Sequence, residues 1–523
     1  MELWQLCLLL GVLLAIWFLS SGRMPAKGGA QVPPMIRHGL PIIGPAIALG
    51  KDPMSFLAQC QRKYGNVFTL PLPRQTFVID AKLTQHIYGL REDSLSFQRI
   101  RVLLQGAAFG VGEEANIDPA MRAWYYPLHS KLMSQANLPN LVDALVRDLR
   151  TSLLAKANEL PSGGQEIDLV SFVFNVAYDS TAMAIFGPGL DARAIQQDFL
   201  TFDDSFPLLV AGIPIWCLPK INRARKRLLN VFEKYALDEE AMDSASDLIR
   251  ELVKALKTTR WSRQTMAAMI YGEFWAALAN VVYVVVHNVL FCVQSPGMVG
   301  AIRAELHGSL SPDEDGSPSI AAEAVRLEAT GNADRFPALT SACWESIRLF
   351  VSAASIRVAE VDVVLSASKA ADEAPPYLIK KGTKIVCVMR PLATDESADS
   401  LFGSDAKTWK GIRHLDSQGR STVQTNYSKL SMSFGGGVSK CEGRYFAAAE
   451  LQAITAMILL LFDIEVTGTI NAQGKALDAN SSPHAPAYNR PAGVITAGFD
   501  ESRHFTGALH PTGKVCAIIH RRT

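Results

Sequence analysis

The tightest constraint on this chain is a short stretch near its C-terminal end, Phe434-Gly-Gly-Gly-Val-Ser-Lys-Cys441-Glu-Gly443. It places one cysteine inside a glycine-rich turn, and an apolar, helix-like run from Arg444 to Phe462 follows at once. Glycines let backbone N–H groups approach the sulfur, and Phe434 can shield it. A lone thiolate held in this way suits the proximal position of a haem iron. A free cysteine buried beside a helix start is the plainer reading of any single cysteine. The spacing F-x-x-G-x-x-x-C-x-G, met at Phe434, Gly437, Cys441 and Gly443, weighs against that plainer reading.

The rest of the chain is compatible with a large buried core. It has 523 residues and is 49% hydrophobic. A net charge of +1 argues against nucleic acid as a bulk electrostatic partner. The eight cysteines are scattered with no C-x-x-C pair, which fits a reducing compartment and no structural zinc or disulfide framework. Leu3 to Ser20 is long and apolar enough for one membrane crossing, with Arg23 and Lys27 after it. The positive-inside bias then puts the downstream chain in the cytosol, and a cleaved signal peptide is the alternative. Residues 1–22 are thus expected to be an anchor. Residues 23–46, rich in proline and glycine, are expected to be a stiff linker without regular helix.

Residues 47–523 are expected to form one α+β domain, mainly α, with small sheets towards its two ends. Asn66 to Ile79 reads as a hairpin. Periodicity is helical from Pro119 to about Lys257, from Arg263 to Gln294, and from Ala338 to Phe350. Strand-like pieces recur at Tyr377 to Val388, with Lys381-Gly382 as a turn, at Val494 to Gly498, and at Val515 to Ile519. His307 to Asp334 reads as an exposed excursion. Phe274 to Val293 is a second membrane-span candidate by length, but Asn280, His287 and Asn288 favour a helix buried in protein.

Three features in chain order resemble the cytochrome P450 family over nearly the whole sequence. They are Glu345-Ser-Ile-Arg348, then Arg413, then the cysteine loop. The resemblance implies a cytochrome P450 fold behind the anchor and a haem b with Cys441 as axial thiolate. It also implies a lipophilic substrate, and electrons from NADPH through NADPH-cytochrome P450 reductase. Glu345, Arg348 and Arg413 would lock the region beneath the haem. Arg357 would meet a haem propionate through a bidentate guanidinium. His129 falls where the family has a helix near the propionates, although Leu128 holds the usual basic position after Trp124. Ser439 replaces a residue that is often basic, leaving Lys440 and Arg444 nearby.

Ala279-Asn280-Val281-Val282-Tyr283 aligns with the family's A-G-x-[D/E]-T segment on the long distal helix. Family members use the acid and the alcohol to deliver protons during dioxygen activation. Val282 carries no proton, and Tyr283 is bulkier than threonine. Asn280 and Tyr283 are therefore the candidate catalytic residues. The Ala-Asn pair resembles the subgroup containing sterol 7α-hydroxylases and prostacyclin synthase. The resemblance implies a monooxygenase on the endoplasmic reticulum membrane, in the style of a fungal specialised-metabolism enzyme. The missing pair keeps open an isomerase or dehydratase acting without NADPH, and a haem sensor without turnover is a third reading. Phe206 to Leu218, with the basic patch from Lys220 to Arg227 after it, reads either as a membrane-dipping substrate entry or as a packed loop.

Overall fold

The computed structural model describes residues 30–40, 43–71, 75–307, 310–312, 318–320, 335–366, 375–397, 400–470, 476–477, 498–500, 503 and 505–522. The anchor expected over 1–22 lies outside them, as does all but Gly498 of the strand expected over 494–498. The described residues fall into two compact units interleaved along the chain. One holds those before Leu103 with Ser352–Ser404 and Phe434–Lys440. The other holds Leu103–Val351, Asp405–Ser433 and the chain from Cys441 onward.

The first unit is built on a five-stranded sheet. Its strands are Val67–Leu70 (β1), Gln75–Val78 (β2), Leu95–Ser96 (β3), Ala354–Ala359 (β4) and Lys384–Val388 (β5), in the order β1-β2-β5-β4-β3. The hairpin expected at Asn66–Ile79 is present, with Val67 opposite Val78 and Leu70 opposite Gln75. The Lys381-Gly382 turn also forms, with Gly382 at φ +81°. The strands on its two sides do not pair with each other. Tyr377–Ile379 pairs with Val363–Leu365, while β5 runs between β2 and β4, where its almost wholly buried side chains need neighbours on both edges. The proline- and glycine-rich stretch, expected to be a stiff linker without regular helix, is paired to its neighbours in its described part. Ile36 donates to Thr69 O at 3.0 Å, and Gln31 bridges to Tyr377. Ile43–Lys51 is a helix despite Pro45, which lies in the first turn, where a missing N–H leaves no bond unmade.

The second unit is mainly helical. Its principal helices are Tyr126–Leu132 (α1), Leu169–Phe186 (α2), Ala192–Asp204 (α3), Pro219–Leu237 (α4), Arg263–Leu278 (α5), Val281–Gln294 (α6), Pro337–Phe350 (α7) and Arg444–Leu461 (α8). Short polar residues start several of them: Asp168 accepts from Val170 N, Asp191 from Ala194 N and Ser262 from Thr265 N. The buried faces of α2 and α8 pack against α6 in the core. Every residue from Val281 to Cys292 is buried, so the second membrane-span candidate is a core helix. A four-stranded antiparallel sheet at the C-terminal end pairs Phe462–Ile470 with Lys514–Arg521, which also pairs with Gln165–Asp168. Of the excursion expected at 307–334, the described residues include a short antiparallel pair, Leu310–Pro312 with Pro318–Ile320.

One buried acid in this core has a measurable consequence. Glu450 on α8 is 1% exposed and contacts Thr181 Oγ1, which also donates to Ala177 O at 2.7 Å. A neutral Glu450 can donate to Thr181 while Thr181 donates onward; a carboxylate here would have one weak partner. Burial pushes its pKa up to about 8. The unfolded chain ionises near pH 4.5, so stability is full below that and is lost as pH rises towards 8. Glu450→Gln mimics the neutral acid. It is expected to stabilise the protein by ~3 kcal/mol at pH 7, at 1.36 kcal/mol per pH unit, and by little at pH 4.5. Chemical denaturation at the two pH values checks this.

Candidate functional site

The cysteine turn is shaped first by steric closeness. Gly435 and Gly437 have φ of +75° and +57°. A Cβ on Gly436 would fall 2.0 Å from the Tyr88 ring, and one on Gly437 would fall 2.1 Å from Tyr88 O. Only glycine lets the turn lie this close to the helix Ala81–Gly89. Phe434 ends a short 3-10 turn, Ser431–Phe434, and is half-buried. Arg357 secures the same turn from β4. Its guanidinium donates to Gly436 O at 2.8 Å, Ser439 Oγ at 3.2 Å and Ile87 O at 3.1 Å, and lies over the Tyr88 ring. Its Nε is buried and, among the described residues, has no hydrogen-bond partner.

Cys441 itself stands just before α8, with Gly443 at the helix N-cap. Its side chain borders open space, yet enough protein surrounds the sulfur that burial pushes the thiol pKa up. The Gly443 and Arg444 backbone amides act the other way, donating towards the sulfur. A helix N-terminus and two N–H donors favour a thiolate, the form a metal takes. Arg444 Nη1 also donates to Cys441 O at 2.8 Å and fixes the turn.

The charged triad forms as expected. Glu345 is fully buried and receives Arg348 Nε and Nη2, each at 2.8 Å, and Arg413 Nε at 2.9 Å. The sequence reading missed three further members. Lys410 N donates to Glu345 at 2.9 Å, His414 Nε2 lies 3.3 Å from it, and Asp405 holds Arg413. Burial opposes the Glu345 charge, but Arg348 and His414 outweigh it and hold the carboxyl well below its usual range.

The distal segment differs from an unbroken helix. Helicity stops at Leu278 and resumes at Val281, with Asn280 at φ −119°. Asn280 Oδ1 accepts from Ala508 N at 2.9 Å and sits where a Cβ on Gly507 would be, 2.0 Å away. The side chain therefore serves a distant backbone, as asparagine readily does. Because Ala508 N–H can only donate, the amide orientation is set, and among the described residues its NH2 end has no hydrogen-bond partner. Tyr283 does not present its hydroxyl as a relay. The hydroxyl points to Asp203 Oδ2 at 3.4 Å, and the ring stacks on His510 at 3.5 Å. Asp203 is fully buried and also holds Trp275 Nε1 at 2.9 Å and Arg503. Nothing in the sequence spacing signals this cluster, whose members lie up to 307 positions apart.

His129 is likewise occupied. Nε2 lies 2.9 Å from Glu273 Oε2 and Nδ1 lies 2.5 Å from Glu442 Oε2. Burial disfavours the charged ring, but the two carboxylates outweigh it and raise the pKa to about 10. Two carboxylates around one imidazolium carry net negative charge and repel a third carboxylate, so His129 is not placed as a propionate partner.

Comparison with known proteins now decides the family. Residues 33–475 match cytochrome P450. The chain belongs to the cytochrome P450 family. It is 26% identical to cytochrome P450 7B1 of Mus musculus, over 88% of this chain and 90% of that one. It is 27% identical to cytochrome P450 7A1 of Oryctolagus cuniculus, over 88% and 92%. It is 25% identical to cholesterol 7-alpha-monooxygenase of Cricetulus griseus, over 86% and 90%. The protein is a haem-dependent monooxygenase, and its cofactor is haem with an axial cysteine thiolate, reduced by NADPH through a reductase. The helix N-terminus behind Cys441 and the amides directed at its sulfur fit that group.

Proposed function

We propose that this cytochrome P450 hydroxylates or epoxidises a lipophilic substrate of sterol-like size, in a specialised-metabolite route, with Cys441 as the axial ligand. The observation that carries it is Cys441 at the start of α8, with the Gly443 and Arg444 amides directed at its sulfur. The haem supplies the dioxygen-activating redox chemistry. Phe434, Gly437 and Gly443 shape the turn around the ligand, and Arg357 Nε is the donor available to a propionate. Asn280 presents an amide NH2 at the helix break, where it can order a water that delivers protons. The name of the cholesterol 7-alpha-monooxygenase relative supports a sterol-like substrate.

Substrate entry belongs to the segment Phe206–Leu218. Leu208, Ile213 and Trp216 are exposed there, Trp216 by 75%, just before the basic start of α4. Apolar side chains beside cations suit the surface of an anionic membrane, and with the apolar N-terminal sequence they support a site on the endoplasmic reticulum membrane.

The test is a product assay with sterols and related lipids, with and without NADPH and the reductase, alongside the reduced carbon monoxide spectrum. Thiolate-type absorption and strict dependence on both electron donors are expected. The Val282-Tyr283 pair favours the competing reading, an isomerase or dehydratase. Turnover with neither NADPH nor reductase would establish that reading and overturn this one.

A further inference from the structure

We propose that His129 is a positioning residue for the axial sulfur, acting through Glu442, the residue peptide-bonded to Cys441. The proposal rests on the assignment of Cys441 as ligand and goes beyond it by naming what holds the ligand's own turn in place.

The geometry is a bridge of side chains. His129 lies on α1, Glu273 on α5, and Glu442 in the turn before α8. Glu442 is gripped twice from α1: Ser130 Oγ donates to its Oε1 at 2.6 Å, and His129 Nδ1 lies 2.5 Å from its Oε2. The Nδ1 contact is off-line for a hydrogen bond and acts as an ion pair. Across the ring, Nε2 meets Glu273 at 2.9 Å, and Glu273 also accepts from Tyr125 OH at 3.2 Å. Both carboxylates can only accept, so the ring meets both as a doubly protonated cation. His129 is thus tied to α5 on one side and holds Glu442 on the other.

Both ends of the contact are largely shielded from solvent. His129 is 15% exposed and Glu442 28%. The backbone it anchors, Cys441 to Arg444, carries the two amides directed at the sulfur. Groups that orient a metal ligand without touching the metal commonly govern its affinity. The bridge also brings a cation to the Glu442 carboxylate, next in the chain to Cys441.

The experiment is a double-mutant cycle on haem-loaded full-length protein, with His129→Gln, Glu442→Gln and the double variant. It reads haem retention, the fraction of the reduced carbon monoxide complex that is thiolate-type, and the reduction potential. His129→Gln is expected to lower haem retention on the order of tenfold and to convert a large fraction of the complex to the thiol type. In the Glu442→Gln background the same change should add nothing, because the link is already cut. An unchanged thiolate fraction in His129→Gln, or an equal loss in both backgrounds, overturns the proposal. If His129→Gln does not accumulate, Glu442→Gln decides alone. It opens the same bridge from its more exposed end and must show the lowered thiolate fraction; a wild-type fraction overturns the proposal. Wild-type protein with no thiolate-type complex instead defeats the ligand assignment beneath it.

Discussion

Cys441→Ala protein is expected to fold and to show no thiolate-type carbon monoxide complex, with monooxygenation at background. The sulfur meets the Gly443 and Arg444 amides, which at a helix N-terminus water can satisfy in its place. The Arg444 side chain holds the Cys441 carbonyl, not its sulfur, and Gly443 starts α8 whatever precedes it. The loss therefore separates ligation from folding. Circular dichroism should superimpose on wild type, while the spectrum of any haem that remains should move away from the thiolate position. Cys441→His offers a nitrogen donor at the same place and should give a nitrogen-type spectrum instead. If Cys441→Ala keeps a thiolate-type spectrum, the ligand is another cysteine. Cys292, Cys343 and Cys387 are poor substitutes: all three are buried, and burial holds the Cys292 and Cys387 thiols far above the range in which thiolates form.

Local pattern made the proximal half legible. The cysteine turn, α8, α7 and the hairpin β1–β2 were all readable, because each is set by residues within one short window: glycine spacing, a 3.6-residue period, or alternation. The triad was readable for the same reason at each of its parts, and the structure supplied the members that no spacing predicts, Asp405, His414 and the Lys410 amide. The distal half was misread where one distant contact overrides a local preference. An apolar run from Phe274 to Val293 reads as one helix, but the Asn280 side-chain oxygen accepts from Ala508 N, 228 positions later, and the helix is interrupted there. Tyr283 looked like a substitute alcohol because its alignment position said so, yet Asp203 on α3 captures its hydroxyl. His129 shows the same limit. Its place in the chain suggested a propionate, whereas its neighbours in space are two carboxylates, Glu273 and Glu442.

Replacing Glu345 is expected to be the most destabilising single change in the triad. Glu345→Ala leaves Arg348, which is 1% exposed, and Arg413 without their shared anion. Breaking a buried ion pair by removing one partner typically costs ~3–5 kcal/mol. That is a large share of the ~5–15 kcal/mol by which a folded protein exceeds its unfolded state. Glu345→Gln should do nearly as badly. It keeps the shape and one acceptor oxygen, but two guanidiniums and the Lys410 amide converge on a group that no longer carries charge. Arg413→Lys should be milder. It retains the cation at a side chain that is 10% exposed, and loses the donations to Thr408 O and Asp405 O. The pH dependence follows the same carboxylate. Its pKa is depressed in the folded chain, so its contribution is present above about pH 4.5, the ordinary value, and is lost as pH falls towards the folded value. Wild-type stability should therefore drop steeply below pH 4.5, and a soluble Glu345→Gln protein should lack that part of the drop. Denaturant midpoints measured between pH 3 and 7 would test this, and equal acid sensitivity in both proteins would show that Glu345 does not anchor the helix α7 through its charge.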